Sequence, residues 1–214
     1  MSDFEVVAFD AYGTLFDITG EDWAPPEVVA AMRVKQLQYS WLASLMGDYR
    51  EFRELTRAAI EFTLEQHRVD ADVDDVMASM LRIRLYSDAE AALDRMSVGA
   101  RLAILSNGDP DSLEQLLSNT GIRDRFEWVV SAHEVRTFKP SPAVYEQLLV
   151  RTSTSRERVL FVSSNGWDAA GAARYGLRVA WVNRTHAPLE RIGGKPELTV
   201  NDLKELADRI DSRS

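Results

Sequence analysis

The sequence contains no cysteine in its 214 residues. Disulfides, thiolate zinc sites and cysteine nucleophiles are therefore excluded. Histidine is also scarce: His67, His133 and His186 lie far apart and show no metal-ligand spacing. Any bound metal would need oxygen ligands.

Basic residues are too few to balance the acidic ones, with 25 Lys and Arg against 34 Asp and Glu, a net charge of −9. Nucleic-acid-binding proteins need a basic face to neutralise phosphates, so we expect no nucleic-acid partner. The chain has no apolar run long enough to span a membrane, and its first apolar run lacks a preceding basic region and a following cleavage site. We therefore expect a cytoplasmic protein without membrane contact.

Short, continuous apolar runs recur along the chain, as is typical of strands buried on both faces of a parallel sheet. They cover residues 6–9, 102–105, 159–162 and 179–182, with a weaker fifth at 128–130. From about residue 87 they alternate with helical patterns at 111–119, 142–151, 169–175 and 201–210. This alternation predicts an α/β fold with a doubly wound, Rossmann-like parallel sheet.

Residues 25–84 break this alternation because they contain no strand-like run. Apolar residues recur there at helical spacing, which predicts three or four amphipathic helices. These residues are Val28, Val29 and Met32, then Leu37, Trp41 and Leu45, then Leu55, Ala59 and Phe62. We predict a helical cap of residues 17–84 inserted into a core of residues 1–16 and 85–214. The apolar face around Leu45 could pack on the core or form a homodimer contact, and the sequence leaves both open.

Polar residues directly follow the predicted strands, at the edge where open parallel sheets bind ligands. In chain order they are Asp10 and Thr14, then Ser106 and Asn107, then Ser163, Asn165 and Asp168. Their convergence predicts a polar site at this edge.

Asp10 follows a fully apolar strand, where a carboxylate is costly unless it is paired or hydrogen-bonded. Taken alone it is an ordinary turn aspartate, just as Lys139 is an ordinary surface lysine. The hydroxyls of Thr14 and Ser106 and the ammonium of Lys139 could together hold the Asp10 carboxylate ionised and aimed. This combination favours a catalytic role for Asp10.

At these residues the sequence resembles the haloacid dehalogenase superfamily, and the likeness covers nearly the whole chain. Residues 10–15 resemble its first motif, which carries the nucleophile, and residues 106–107, 139–140 and 163–168 resemble the other three motifs. The resemblance implies that Asp10 is the nucleophile.

Two departures from the phosphatases of this superfamily favour carbon–halogen cleavage. Tyr12 stands where those phosphatases carry a second aspartate that protonates the leaving group, and a departing halide needs no such proton. The fourth motif offers Ser163, Ser164 and Asn165 with one acid, Asp168, in place of the usual acidic pair of a magnesium site. We therefore expect no metal and no other cofactor.

The amino-acid sequence of residues 9–17, 35–42 and 163–168 is similar to that of the L-2-haloacid dehalogenases. That resemblance implies hydrolysis of short-chain (S)-2-haloacids to (R)-2-hydroxyacids and halide through an aspartyl ester. Its implied catalytic residues are Asp10, Thr14, Arg33, Ser106, Lys139, Tyr145, Ser163, Asn165 and Asp168. Its implied substrate-binding residues are Ala11, Tyr12, Leu37, Phe52, Asn107 and Trp167. Either Asp168 or Lys139 would activate the hydrolytic water.

Two alternatives stay open. One is a magnesium-dependent phosphatase or phosphonate hydrolase on the same fold, which Tyr12 opposes. The other is a binding protein that kept the fold and lost the chemistry. It is opposed by the joint presence of Asp10, Thr14, Ser106, Lys139 and Asp168.

Overall fold

The computed structural model describes residues 4–18 and 22–212. Its centre is a six-stranded sheet in the spatial order β3-β2-β1-β4-β5-β6, with every neighbouring pair parallel. The strands are β1 Val6–Phe9, β2 Arg101–Ser106, β3 Trp128–Ser131, β4 Val159–Ser163, β5 Arg178–Val182 and β6 Leu198–Val200. All residues of β1 and β4 are buried, which explains their continuous apolarity. The predicted α/β class with a doubly wound parallel sheet is confirmed.

Helices cover both faces of this sheet. They are α1 Pro26–Met46, α2 Phe52–His67, α3 Val73–Ser79, α4 Ala89–Met96, α5 Pro110–Asn119, α6 Pro142–Thr152, α7 Gly166–Tyr175 and α8 Leu203–Asp211. Residues from α4, α5 and α8 form one core with Val7 and Phe9 of β1, and residues from α6 and α7 form a second core with Val6 and Ala8. None of the helices in the described ranges combines the length and apolarity that crossing a membrane requires.

Helices α1, α2 and α3, called the cap helices below, lie between β1 and β2 in the chain. The first is one helix of 21 residues, so two of the predicted apolar groups belong to a single element. Leu45 is 84% exposed, because the buried side of α1 runs through Gln36, Ser40 and Ala43 instead. The division into a core of 1–16 and 85–214 and a cap of 17–84 stays a prediction, and its ranges include residues 1–3, 19–21 and 213–214, outside the described residues.

Hydrogen bonds join the cap helices to the loops at the carboxyl edge of the sheet. The Asp109 carboxylate, after β2, accepts from the backbone N–H groups of Phe52 and Arg53 at 2.9 and 2.7 Å, where α2 begins. The Trp41 indole of α1 donates to the Lys139 carbonyl oxygen at 3.2 Å. These contacts place the cap helices over the edge to which the sequence assigns the site.

Candidate active site

The carboxylate of Asp10 lies at the centre of a polar cluster at the end of β1. Its Oδ2 accepts hydrogen bonds from the Thr14 hydroxyl at 2.9 Å and the Asn165 side-chain amide at 2.8 Å. Its Oδ1 accepts from the Lys139 ammonium at 3.0 Å. Donors from three separate segments therefore fix the position of both carboxylate oxygens.

Lys139 connects two carboxylates. Its side chain is fully buried, and its Nζ lies 3.0 Å from Asp10 Oδ1 and 2.9 Å from Asp168 Oδ2. Burial acts to lower the pKa of Lys139, but the carboxylates of Asp10 and Asp168 outweigh it and raise that pKa above its ordinary value. The ammonium therefore stays charged at neutral pH and shields the two carboxylates from one another.

Asp168 is also fully buried, and its carboxylate accepts hydrogen bonds from the side chains of Tyr145, Ser163 and Lys139. Tyr145 donates to its Oδ1 at 2.8 Å, and Ser163 donates to its Oδ2 at 3.1 Å beside Lys139. Burial raises the pKa of Asp168, and the neighbouring Lys139 charge opposes this shift. Burial and the Asp168 charge raise the pKa of Tyr145 well above its ordinary value, so its phenol remains a donor.

The loop that carries Thr14 is held from both sides. The Thr14 hydroxyl accepts from the Ser164 backbone N–H at 2.8 Å, and the Thr14 carbonyl accepts from Arg184 at 3.2 Å. Arg184 also binds Asp88 through two hydrogen bonds of 3.0 Å. Gly13 turns the loop at φ +84°, a conformation in which an L side chain would be strained. The loop therefore holds the Thr14 hydroxyl against Asp10.

Arg33 of α1 brings a second cation to the site from the cap side. Its guanidinium lies 6.0 Å from the centre of the Tyr12 ring and donates from Nη1 to the side-chain oxygen of Gln36. Its Nε is buried and has no hydrogen-bond partner within the described chain. Burial lowers the pKa of Arg33 and the Asp10 charge raises it, while burial raises the pKa of the Tyr12 phenol to about 12. At neutral pH, Arg33 is charged and Tyr12 is neutral.

A cavity of about 570 Å³ lies between the cap helices and the loops at the sheet edge. Three of the predicted site residues, Tyr12, Arg33 and Phe52, line it. Much of the remaining wall is apolar, and its apolar residues include Ile18, Val29, Met32, Met77, Met80 and Leu81. The cavity can therefore hold a small, partly apolar molecule with an anionic group near Arg33.

The other predicted substrate-binding residues lie near the site but do not line this cavity. Leu37 and Ala11 are buried, at 8% and 0% exposure. Trp167 is partly exposed, and its ring packs edge-on against Trp41 with centroids 5.5 Å apart. Of the predicted apolar pocket, Tyr12 and Phe52 therefore line the cavity, and Ala11, Leu37 and Trp167 do not.

The two predicted residues after β2 have different surroundings. Asn107 accepts from the Lys139 backbone N–H through Oδ1 at 2.9 Å, which aligns the loops of the second and third motifs. The Ser106 hydroxyl accepts from the Gly108 backbone N–H at 3.1 Å, and the described residues show no hydrogen bond between it and Asp10.

Three residues outside the predicted set also hold the site. Gln36 contacts Arg33 and follows it by three positions, so helical spacing alone could have indicated the pair. Asp109 precedes a proline at the start of α5 and would be interpreted as the cap of that helix, whereas its carboxylate caps α2. Arg184 lies in the loop after β5, and no sequence signal connects it to Thr14.

The groups around Asp10 determine what chemistry the site can perform. All three side chains that contact its carboxylate are hydrogen-bond donors, whereas a hard cation would need oxygen acceptors there. Across residues 4–18 and 22–212, no group of three or more His, Asp or Glu side chains is suited to a metal ion. A carboxylate fixed by three donors, beside a cavity with a cation on its wall, is suited to nucleophilic attack.

Known proteins are similar to this chain in both sequence and fold. The family model of haloacid dehalogenase-like hydrolases matches residues 4–176. The (S)-2-haloacid dehalogenase 2 of Pseudomonas sp. (strain CBS-3) is 38% identical, over 100% of this chain and 99% of its own. The (S)-2-haloacid dehalogenase of Pseudomonas sp. (strain YL) is 37% identical, and the alignment covers 96% of this chain and 94% of that protein. The L-2-haloacid dehalogenase of Xanthobacter autotrophicus, solved with chloropropionic acid covalently bound, superposes with a TM-score of 0.91 at 33% identity, covering 99% of this chain and all of its own.

Removing the ammonium between the two carboxylates should make the stability of the protein depend on pH. In Lys139→Met we expect the free energy of unfolding to fall by about 3–5 kcal/mol near neutral pH, because a buried charge loses its partner. The pKa of Asp168 then rises further, so the folded variant takes up a proton more readily than the unfolded chain. The loss therefore shrinks as the pH falls towards the ordinary carboxyl range.

Urea unfolding of both proteins at neutral and at mildly acidic pH measures this effect. Lys204→Met, at an exposed position of α8, is the control and should show no such pH dependence. An equal loss for Lys139→Met at both pH values would contradict the assigned charges.

Proposed function

This chain belongs to the family of haloacid dehalogenase-like hydrolases, and we propose that it hydrolyses short-chain (S)-2-haloacids to (R)-2-hydroxyacids and halide. One observation carries the proposal: the Asp10 carboxylate is held by Thr14, Asn165 and Lys139 close to a cavity lined by Arg33. The names of the two Pseudomonas relatives, which align with nearly the whole chain, support the same reaction.

In the first step, a carboxylate oxygen of Asp10 attacks C2 of the haloacid on the side opposite the halogen. The new C–O bond forms as the C–X bond breaks, the halide leaves with the bonding pair, and C2 is inverted. Arg33 and the Asn107 amide stabilise the departing halide. Asn107 is suited to this role because Lys139 occupies its Oδ1 and leaves its Nδ2 free of protein partners in the described chain. Ser106 and backbone N–H groups near Tyr12 hold the substrate carboxylate.

In the second step, water attacks the carbonyl carbon of the Asp10 ester. The ester C–O bond on the Asp10 side breaks, so C2 keeps its inverted configuration and the carboxylate is regenerated with one oxygen from water. Asp168 accepts one proton of the water, a role supported by its buried carboxyl, whose raised pKa makes it a stronger base. The departing alkoxide takes the second proton and becomes the hydroxyl of the product, and Asp168 releases its proton to solvent, so the turnover yields hydroxyacid, halide and one proton. Lys139, held by both carboxylates, supplies the positive charge for the developing oxyanion.

The magnesium-dependent phosphatase is the weaker alternative for two reasons. A phosphate ester needs an acid to protonate its leaving group, and a phenol with a pKa of about 12 is too weak to replace the aspartate found there in phosphatases. Asn165 presents an N–H group to Asp10 where a cation would need an oxygen. A binding protein without activity has no use for an ammonium buried between two carboxylates.

Halide release from 2-chloropropionate tests the proposed reaction directly. We expect release from the S enantiomer only, formation of the R hydroxyacid, and no change on adding a chelator. Asp10→Ala should reduce the rate by more than about 10³-fold because it removes the nucleophile. The exposed Asp48→Ala is the matched control. Phosphate release from simple esters that depends on magnesium, without halide release, would favour the phosphatase.

A single turnover in heavy-oxygen water tests the ester intermediate. With enzyme in excess over substrate, the oxygen that enters the product comes from Asp10, so the product should carry little label and the Asp10 peptide should gain it. Mass spectrometry of the hydroxyacid and of the digested protein measures both. Label that enters the product in the first turnover would instead indicate direct attack by water on C2.

A cytoplasmic location stays a prediction from the sequence. We further propose that the chain forms a homodimer through the outer face of α1. Val34, Leu42, Leu45 and Met46 lie along that face at helical spacing and are 68%, 41%, 84% and 69% exposed. Apolar side chains exposed along one helix favour a second copy as their cover.

Light scattering should therefore give twice the 24.1 kDa mass of one chain. Leu45→Glu should reduce the mass to that of a monomer, because a charge cannot be buried unpaired at the contact. Val98→Glu changes an equally exposed residue away from α1 and should leave the mass unchanged. A monomeric wild-type protein would refute the dimer.

A further inference from the structure

We propose that Gln36 is a positioning residue that fixes the guanidinium of Arg33 for the departing halide, and that Thr56 fixes Gln36 in turn. The inference rests on the proposed function, which assigns Arg33 to the halide. Gln36 and Thr56 line the cavity beside Arg33, but they touch neither Asp10 nor, in the proposed mechanism, the reacting atoms.

Gln36 follows Arg33 by three positions on α1, and its side chain is 5% exposed. Its Oε1 accepts from Arg33 Nη1, and its Nε2 donates to the Thr56 hydroxyl of α2 at 2.5 Å. The Thr56 hydroxyl donates to the Phe52 carbonyl oxygen at 2.8 Å. Arg33 is therefore linked to the backbone of a second helix through two buried side chains.

The direction of each hydrogen bond in this relay is determined by its neighbours. Thr56 has one hydroxyl proton, which is engaged by Phe52, so Thr56 can only accept from Gln36. The amide nitrogen of Gln36 must then face Thr56, and its oxygen must face Arg33. The acceptor presented to the guanidinium is therefore built into the packing of α1 on α2.

The far end of the relay is anchored to the core. Phe52, whose carbonyl accepts from Thr56, gives its backbone N–H to the Asp109 carboxylate at 2.9 Å. Asp109 lies two residues after Asn107, the other residue assigned to the halide. The relay therefore fixes the Arg33 guanidinium relative to the sheet edge and not only relative to its own helix.

A neutral acceptor is the suitable partner for this arginine. An amide oxygen fixes the orientation of the guanidinium and leaves its full positive charge available to an anion, whereas a carboxylate would neutralise that charge. The Nε of Arg33 is buried and has no partner in the described ranges. At least one N–H donor of Arg33 is therefore not engaged by the protein. Both features suit an arginine that is held in place and kept available to an anionic ligand.

Gln36→Met tests the relay because methionine keeps the length of the side chain and removes the acceptor. We expect kcat for (S)-2-chloropropionate to fall by about 10- to 100-fold, since a small misplacement of a group that stabilises the transition state has effects of this size. The fall should be smaller for the bromo substrate, whose better leaving group depends less on Arg33. KM should change little by comparison.

The chain offers a matched control on the same helix. Gln38 also accepts from a cation three positions earlier, Lys35, at 2.8 Å, but on the exposed side. Gln38→Met should leave kcat unchanged. Thr56→Val should lower kcat in the same direction as Gln36→Met, and Thr56→Ser, which keeps the hydroxyl, should retain most of the activity. In an Arg33→Lys background, Gln36→Met should cause no further loss, because its effect passes through the guanidinium.

A measurement that needs no activity separates this inference from the proposed function. In NMR spectra of arginine-labelled protein, the Arg33 guanidinium, assigned with Arg33→Lys, should rotate slowly in wild type and in Gln38→Met but fast in Gln36→Met and Thr56→Val. An equally mobile Arg33 in wild type and Gln36→Met, or a loss in Gln36→Met that adds to that of Arg33→Lys, would overturn the inference. An ordered Arg33 in a protein that releases no halide would refute the dehalogenase function and retain the relay.

Discussion

The ammonium of Lys139 between two buried carboxylates is the interaction on which the rest of the site depends. Two negative charges at hydrogen-bond distance from one group cannot both stay ionised in a low-dielectric interior without a cation between them. The fold also fixes Lys139 through its backbone, because Asn107 binds its N–H and Trp41 binds its carbonyl. A residue of the second motif and one of α1 thus hold the lysine that keeps Asp10 charged.

The same constraint explains why the site is rich in donors. With one cation for two carboxylates, Asp10 and Asp168 retain a net negative charge, which neutral donors such as Thr14 and Tyr145 must stabilise. These donors need no rearrangement when the substrate binds, so their orientation is prepared during folding. Arg33 differs because it lies on the cavity wall, where its charge is available to a ligand. In the proposed mechanism the core therefore holds the nucleophile, while the cap supplies the charge for the leaving group.

Sequence reasoning reached the parts of this structure that depend on local pattern. Continuous apolar runs predicted five of the six strands, and β6 was missed because its three residues alternate buried, exposed and buried at the sheet edge. The proximity of Asp10 and Lys139 was predicted because the carboxyl ends of parallel strands share an edge. Their catalytic roles came from the family resemblance and stay predictions. The bond from the Gly108 backbone N–H to the Ser106 hydroxyl was not predicted, because it depends on the geometry of the turn after β2. The contacts of Gln36 and Asp109 depend on how α1 and α2 sit against the core, which no local pattern encodes.

The placement of the cap helices therefore matters for chemistry as well as for packing. In the proposed mechanism the nucleophile comes from β1 and the halide contact from α1, and these elements are far apart in the chain, so their relative position must be fixed by contacts. Asp109 supplies one such contact by binding the first turn of α2. The hydrogen bond between Thr56 of α2 and Gln36 of α1 then fixes Arg33 relative to α2. Neutral amides and hydroxyls suit this linkage because they set direction without adding charge beside a developing anion. A cap that only covered the cavity would not need buried polar side chains between its helices, since each one left unsatisfied costs stability.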